Sequence, residues 1–284
     1  MTFTTRFAPS PTGPLHLGHA FSGLLAHDMA RAAKGRFLLR IEDIDTTRSR
    51  PEWEAQLQDD LGWLGLRWDA PPMRQTDRLA AYATALDTLW ARGLLYPCTC
   101  TRADIAAAAA APQEGTPLHG PDGLIYPGTC RHRHPRTGPR PAGAALRLDM
   151  AAAAPATVGF VETGAGPNGD TGPQLTYHAA LRDEVGDIVL SRRDFLGSYH
   201  LSVVLDDAAQ DITHVIRGAD LFEATPIHAL LQHLFDLPTP TYHHHRLIRD
   251  DTGRRLAKRD DARAIATFRA EGATPQDIRR MVGL

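Results

Sequence analysis

The chain has 284 residues and a formal net charge of -2 at pH 7, with a sequence pI near 6.7. That length supports one large domain, or one domain carrying an insertion, and excludes a small stapled scaffold. The near-neutral balance excludes a chain-wide affinity for polyanions, so partners have to be argued from local sites.

No run of roughly 18 apolar residues offers a bilayer span, and "MTFTTRFAPSP" lacks the apolar core of a signal peptide, so a cytoplasmic protein without membrane contact is expected. Phe3 to Ala8 reads as a short buried strand, Ala20 to Ala33 as a helix closed by Gly35, and "RFLLRIED" as a returning apolar strand. Strand, helix and strand in such close succession form a βαβ unit, which demands parallel pairing and puts ligands at the carboxyl ends of the strands. Helical periodicity resumes in "EWEAQLQDDLGWLGL" and "RLAAYATALDTLWARG". From Tyr96 to about Arg140 the texture changes to Cys, Pro, Gly, His and Arg, with an alanine run at residues 106 to 111, which marks an insertion. Beyond a short β-rich stretch, "DEVGDIVLSRRD" and "DITHVIRGADL" read as strands and "PIHALLQHLFDL" as a helix. "TYHHHRLIRDDTGRRLAKRDD" reads as a hairpin turning at Asp251-Thr252-Gly253. The tail from Ala262 forms one or two helices, the last over Asp277 to Val282.

The stretch "TRFAPSPTGPLHLGHAFSGLL" sets His16 and His19 at the start of the first helix. First-turn N–H groups and the helix dipole favour an anion there, and imidazole donors add to them. Gly18 leaves room for a flat ligand, and Pro9, Pro11 and Pro14 stiffen the approach, so the donors are held in place before a ligand arrives. This is the chemistry of a nucleoside triphosphate site. A clustered, odd set of cysteines, Cys98, Cys100 and Cys130, points to buried thiols or tetrahedral zinc, with His132 or His134 the fourth ligand that chemistry alone nominates.

"RFAPSPTGPLHLGH" resembles the signature of the glutamyl and glutaminyl branch of the class I aminoacyl-tRNA synthetases, with His16-Leu17-Gly18-His19 in the place of its ATP-binding "HIGH" element. The resemblance implies an α/β fold with a Rossmann-type parallel sheet, a zinc-bearing insertion and a short C-terminal helical stub. Its segments would be residues 1–95 and 181–240 for the two halves of the catalytic domain, 96–180 for the insertion, and 241–284 for the second signature loop and the stub. That loop, of "KMSKS" type, falls on Arg255-Leu256-Ala257-Lys258-Arg259, with Ala257 where the family has a serine. His16, Gly18, His19, Arg255, Leu256 and Lys258 would then bind ATP with Mg²⁺, and His16, His19 and Lys258 would serve the reaction. By the same resemblance Arg6, Ala8, Ser10, Glu42, Tyr199 and Arg217 contact the amino acid, Glu42 taking its ammonium. An arginine fork suits a carboxylate and meets an amide's NH₂ badly, which favours L-glutamate over glutamine.

Within that branch the chain is similar to the glutamyl-queuosine tRNA(Asp) synthetases, which carry a Cys-x-Cys and Tyr-x-x-x-Cys zinc set. The similarity assigns structural zinc to Cys98, Cys100, Tyr126 and Cys130. After Asp260 only residues 261 to 284 remain, fewer than the roughly 50 that an independent anticodon-binding domain needs. The expected activity is therefore ATP-dependent activation of glutamate and its transfer to the queuosine base in the anticodon loop of tRNA(Asp), by a monomer. The alternatives are a minimal glutamyl-tRNA synthetase charging a tRNA 3′ end, and a non-catalytic paralogue that binds glutamate or RNA. Arg131, Arg133, Arg136 and Arg140 are candidate phosphate contacts or a solvated basic loop. "GAGPNG", residues 164 to 169, fits G-x-G-x-x-G, but a prolonged turn follows where that fingerprint needs a helix. His243, His244 and His245 alternate faces along a strand and read as a strand beside the site rather than a metal centre.

Overall fold

The computed structural model describes residues 2–109, 119–249 and 263–284. The expected turn at Asp251-Thr252-Gly253 and the segment carrying Arg255, Leu256, Ala257 and Lys258 lie outside them. Strands β1 (Thr4–Phe7) and β2 (Arg36–Ile41) are almost wholly buried, as parallel strands covered on both faces must be, although β1 reads Thr-Thr-Arg-Phe and owes its burial to its central place rather than to apolar side chains. They pair in parallel, Thr4 opposite Arg36 and Phe7 opposite Leu39, joined by α1 (Leu17–Ala32). The first helix starts three residues before the expected Ala20, because His16 rather than a later residue caps it. Its other end also differs from expectation. The left-handed residue is Lys34 at φ 51°, and the Lys34 and Gly35 N–H groups donate to Arg31 and Ala30 carbonyls. Gly35 is needed for another reason: a Cβ there would stand 2.1 Å from the Phe3 carbonyl oxygen.

After α2 (Pro51–Trp63), β3 (Met73–Arg74) adds to β2 in parallel, and α3 (Leu79–Ala91) leads out to β4 (Leu95–Cys98). Following α4 (Arg102–Ala109), the ribbon β5 (His119–Gly120) and β6 (Gly123–Leu124) precedes β7 (Ala145–Leu148), which pairs antiparallel with β4. Helix α5 (Met150–Ala153), the hairpin β8 (Thr157–Glu162) and β9 (Gly172–Tyr177), and α6 (His178–Ala180) follow. Residues 164–169 form the loop of that hairpin, so the glycine run carries no helix. Strand β10 (Val189–Ser191) covers only the end of "DEVGDIVLS", whose first residues sit in a π-type turn at Leu181–Val185.

Helix α7 (Tyr199–Ala209) then leads to β11 (His214–Gly218), α8 (Thr225–Leu234) and β12 (Thr241–His245). β12 runs parallel to both β11 and β8, so among the described residues it has no hairpin partner. Strand β11 abuts β1: the Thr213 N–H donates to the Thr4 carbonyl and the Thr4 N–H to Thr213 Oγ1, both at 2.9 Å. The strands therefore run β3, β2, β1, β11, β12 across the molecule. In an open parallel sheet the direction of winding reverses between β1 and β11, which is where a ligand crevice opens.

Helices α1 and α2 cover one side through Leu24, Leu57 and Leu61, joined by Ile265 and Phe268 of α9 (Ile265–Ala270) and Ile278 and Val282 of α10 (Pro275–Val282). A second core unites α3, β4, β7, α7 and α8 around Leu86, Leu148, Leu201 and Leu230. Helix α10 opens on a Thr274–Asp277 capping box, two residues before the expected start. No helix among the described residues is long and apolar enough to cross a membrane.

Candidate active site

At the carboxyl ends of β1 and β11 lies a cavity of about 400 Å³, lined by Arg6, Ala8, His16, Gly18, His19, Glu42, Tyr199 and Arg217 among others. A second hollow of about 460 Å³ shares Ala8, His19, Glu42 and Tyr199 with it and extends it past Ser10, Arg48 and Arg192. Every proposed site residue among the described ones, apart from the cysteine set, thus borders one continuous crevice.

The first wall is built by the turn between β1 and α1. His16 caps α1: its Nδ1 accepts the Gly18 N–H at 3.1 Å, while the His16 N–H donates to Nδ1 of His19 at 3.2 Å. This is a capping box made of two histidines, with ring centroids 3.8 Å apart. Its chemical consequence is a fixed tautomer. With Nδ1 accepting in both rings, each neutral imidazole carries its proton on Nε2 and acts there as a donor. A Cβ at position 18 would sit 3.0 Å from Cε1 and 3.1 Å from Nδ1 of His16. Gly18 therefore makes room for the capping ring as well as for a ligand. Ser22 lies one turn along and bonds Nε2 of His245 at 2.8 Å, bringing β12 to the same wall.

Glu42 and Arg6 form the floor. The Arg6 guanidinium is held by Asp207, Nε to Oδ1 at 2.7 Å and Nη2 to Oδ2 at 3.3 Å. Asp207 also accepts from the fully buried Arg40 at 2.6 Å, and Arg40 reaches Glu42 Oε1 at 3.2 Å. Burial pushes the Glu42 carboxyl up from its ordinary range, against the opposite pull of Arg40 and Arg6. Burial raises Asp207 too, but Arg6 and Arg40 outweigh it and hold that carboxyl low. The sequence reading missed Arg40, hidden in an apolar strand, and Asp206 and Asp207. Two adjacent acids inside the apolar run "SVVLDDAA" were the available signal, since carboxylates are rarely buried without partners. Asp206 bonds Gln75, Arg78 and Tyr82, tying α7 to α3.

Arg217, on β11, forms a second wall of the same cavity. Nε donates to Nε2 of His244 at 3.0 Å, Nη1 to Nδ1 of His228 at 3.0 Å, and Nη2 to the Leu221 carbonyl at 3.2 Å and Thr225 Oγ1 at 2.8 Å. The expected two-pronged grip on a ligand is therefore partly spent on the protein. His244 in turn donates from Nδ1 to Glu162, and burial and Arg217 hold its pKa down at about 4. The three consecutive histidines do alternate: His244 is buried behind Arg217, His245 faces the cavity, and His243 meets Thr163.

The cysteines lie apart from this crevice, at the end of β4 and in the loop after β6. Cys98, Cys100 and Cys130 Sγ atoms are all within 4.8 Å of one another, and no histidine joins the group among the described residues. The Tyr126 hydroxyl stands 3.5 Å from Cys98 Sγ and 3.4 Å from Cys100 Sγ, and Cys100 and Cys130 Sγ are 3.5 Å apart. Tetrahedral zinc with Zn–S bonds of about 2.3 Å sets its sulfurs about 3.8 Å apart, so three thiols and a phenol fit such an ion. The Arg147 guanidinium lies 3.8 Å over the Tyr126 ring. Burial raises the Cys130 thiol, yet hydrogen bonds from Tyr126, Thr99 and Cys100 bring it down to about 6.

The candidate phosphate-binding arginines need correction. Arg131 pairs with Asp187 at 2.8 Å, Arg136 with Asp149 at 2.7 Å and Arg140 with Asp87 at 2.6 Å, so these three charges are already matched inside the molecule.

The family model of class I tRNA synthetases (E and Q), catalytic domain, matches residues 2–284. Glutamyl-Q tRNA(Asp) synthetase of Rhodobacter capsulatus is 64% identical over 283 residues, covering 99% of each chain. The protein of the same name from Deinococcus radiodurans is 44% identical over 278 residues, 97% of this chain and 86% of its own. Among solved structures, glutamate-tRNA synthetase of Elizabethkingia anophelis superposes with a TM-score of 0.77 at 25% identity. The match covers all of this chain and 61% of that one.

Proposed function

The chain belongs to the catalytic-domain family of the class I glutamyl- and glutaminyl-tRNA synthetases, and from that premise we propose that it is a glutamyl-Q tRNA(Asp) synthetase. It activates L-glutamate with ATP and transfers the glutamyl group to the queuosine base in the anticodon loop of tRNA(Asp). The observation that carries this reading is one crevice lined both by a histidine-capped helix N-terminus and by Arg6, Glu42 and Arg217.

In the first step an oxygen of the glutamate α-carboxylate attacks the α-phosphorus of ATP and pyrophosphate leaves. The α1 N-terminus and the Nε2–H donors of His16 and His19 stabilise charge on the phosphates, which ATP brings together with Mg²⁺. Lys258, with Arg255 and Leu256 beside it, is assigned to the same phosphates. Both ends of their segment are anchored at the crevice, Ile248 in its lining and Ala264 in a bridge with His16. Glu42 takes the substrate ammonium, whose charge offsets what burial costs that carboxylate. Arg217 meets the side-chain carboxylate, Arg6 and Tyr199 border the same amino acid, and Ala8 and Ser10 supply its contacts on the β1 side. In the second step a hydroxyl of the modified base attacks the carbonyl carbon of the adenylate and AMP leaves.

Cys98, Cys100, Tyr126 and Cys130 hold a structural zinc, which would staple β4 to the following loop and supply no chemistry to the transfer. Purified chain should release one zinc on acid treatment, and Tyr126→Phe less than half of that. Full zinc retention by Tyr126→Phe would remove the phenol from the set. The activity itself is tested by glutamate-dependent exchange of pyrophosphate into ATP. Exchange with glutamate and none with glutamine or aspartate is the expected result, and no exchange with glutamate, with or without tRNA, overturns the reading.

A further inference from the structure

Arg6 and Arg217 border one cavity but are held by opposite kinds of partner. Arg6 is paired with the Asp207 carboxylate. Arg217 has four protein acceptors, two imidazoles, a hydroxyl and a carbonyl, and among the described residues no carboxylate lies within ion-pair distance of it. Glu42 lines the same cavity and is bonded to Arg40 rather than to Arg217.

The protonation of the surrounding histidines follows from donor rules alone. A guanidinium only donates, so the imidazole nitrogens facing it, His244 Nε2 and His228 Nδ1, are acceptors and their rings carry the proton on the other nitrogen. His244 Nδ1–H then donates to Glu162. His228 Nε2–H donates to His200 Nδ1 at 3.0 Å, and His200 Nε2–H to Asp122 Oδ1 at 3.1 Å. One set of tautomers satisfies each of these ring bonds, with His228 and His244 neutral. The carboxylates that end these two hydrogen-bond paths, Glu162 and Asp122, are separated from Arg217 by one ring and by two rings respectively.

We propose that His228 and His244 are positioning residues that set the preference for glutamate over glutamine, by fixing Arg217 with acceptors that leave its positive charge unmatched until a substrate carboxylate arrives. The proposal rests on the reading that Arg217 meets the substrate side chain. A guanidinium already matched by a protein anion gains little from a second carboxylate and sets the two anions against each other, whereas an uncharged amide loses nothing by that match. Neutral support therefore widens the gap between acid and amide substrates.

The test places an anion on Arg217 by two routes. His228→Glu replaces the ring that Nη1 meets. Thr225→Asp brings a carboxylate to Nη2 from the first turn of α8, where an acid suits the helix dipole. His228→Gln, whose amide can accept from Arg217 and donate to His200, is the conservative control, and Arg217→Ala tests the underlying reading. Glutamate- and glutamine-dependent pyrophosphate exchange is measured for the full chain alongside thermal melting. His228→Glu and Thr225→Asp should raise the glutamate KM by roughly thirtyfold with kcat changed less than about threefold, and shrink the glutamate-to-glutamine ratio of kcat/KM in proportion. His228→Gln should stay within about threefold of the parent. If a folded Thr225→Asp or His228→Glu keeps the parental KM and ratio while Arg217→Ala loses both, the inference fails and the site assignment stands. Equal losses in His228→Gln and His228→Glu reduce His228 to packing and also overturn it. A parental glutamate KM in Arg217→Ala removes the site assignment itself.

Discussion

The two walls of the crevice are built in different ways. The wall at α1 is local: His16, Gly18 and His19 lie within four residues, and both rings are fixed by N–H groups of their own helix turn. The wall at β11 is distributed: Arg217 is held by His244 from β12 and Thr225 and His228 from α8, and His244 is held by Glu162, 82 residues earlier. A local device is written in adjacent letters, while a distributed one exists only after the strands have assembled.

The difference can be broken at several points, beginning with the long-range partner that serves the floor between the walls. Asp207→Ala leaves Arg6 and the fully buried Arg40 without their shared carboxylate, which should cost about 3–5 kcal/mol of stability and lower the melting temperature sharply. A melting curve like the parent's would mean that the floor is not held from α7. On the local wall, His19→Ala should slow glutamate-dependent exchange about a hundredfold with little change in melting, and Lys258→Ala should do the same if that lysine has the role proposed for it, as expected for lost transition-state donors. Unchanged exchange in both would remove those roles.

Gly18→Ala separates geometry from stability more finely. Alanine favours the helix, yet its Cβ would press on the His16 ring. Exchange should fall roughly tenfold while melting stays level or rises, because displacing a positioned donor costs rate rather than fold. Parental exchange would show that the His16 ring position does not matter. The smallest effect is that of pH on the distributed wall. His244 and His228 are buried neutral, with pKa values below the ordinary 6.5, so protons bind the unfolded chain more readily. Their contribution to stability is complete above pH 6.5 and is lost progressively as the pH falls through the His244 value of about 4. Melting midpoints should therefore decline from pH 7 to pH 5, and a flat profile over that window would contradict neutral burial.

The same contrast explains what could be read in advance. The βαβ unit was legible because strand ends and helix starts are marked by contiguous patterns, and the gathering of Arg6, Glu42, Tyr199 and Arg217 around one crevice followed from the resemblance to the family, while the first turn of α1 was placed three residues late. The partners of Arg40 and Arg217 were not legible. His200 and His228 sit among apolar residues of α7 and α8, and nothing local distinguishes a histidine that accepts from an arginine from one that fills space. Arg131, Arg136 and Arg140, open in the sequence between phosphate contacts and a solvated loop, show the opposite case, because a run of cations hides the carboxylates that pair with it in space.

The most direct test concerns where the glutamate ends up. Radiolabelled glutamate is incubated with the chain, ATP and tRNA(Asp) that either contains or lacks queuosine, and the 3′-terminal adenosine is then removed. Label that appears only on the queuosine-containing RNA and survives the removal is the predicted result; label that leaves with the terminal adenosine, or that appears equally on both RNAs, would contradict it.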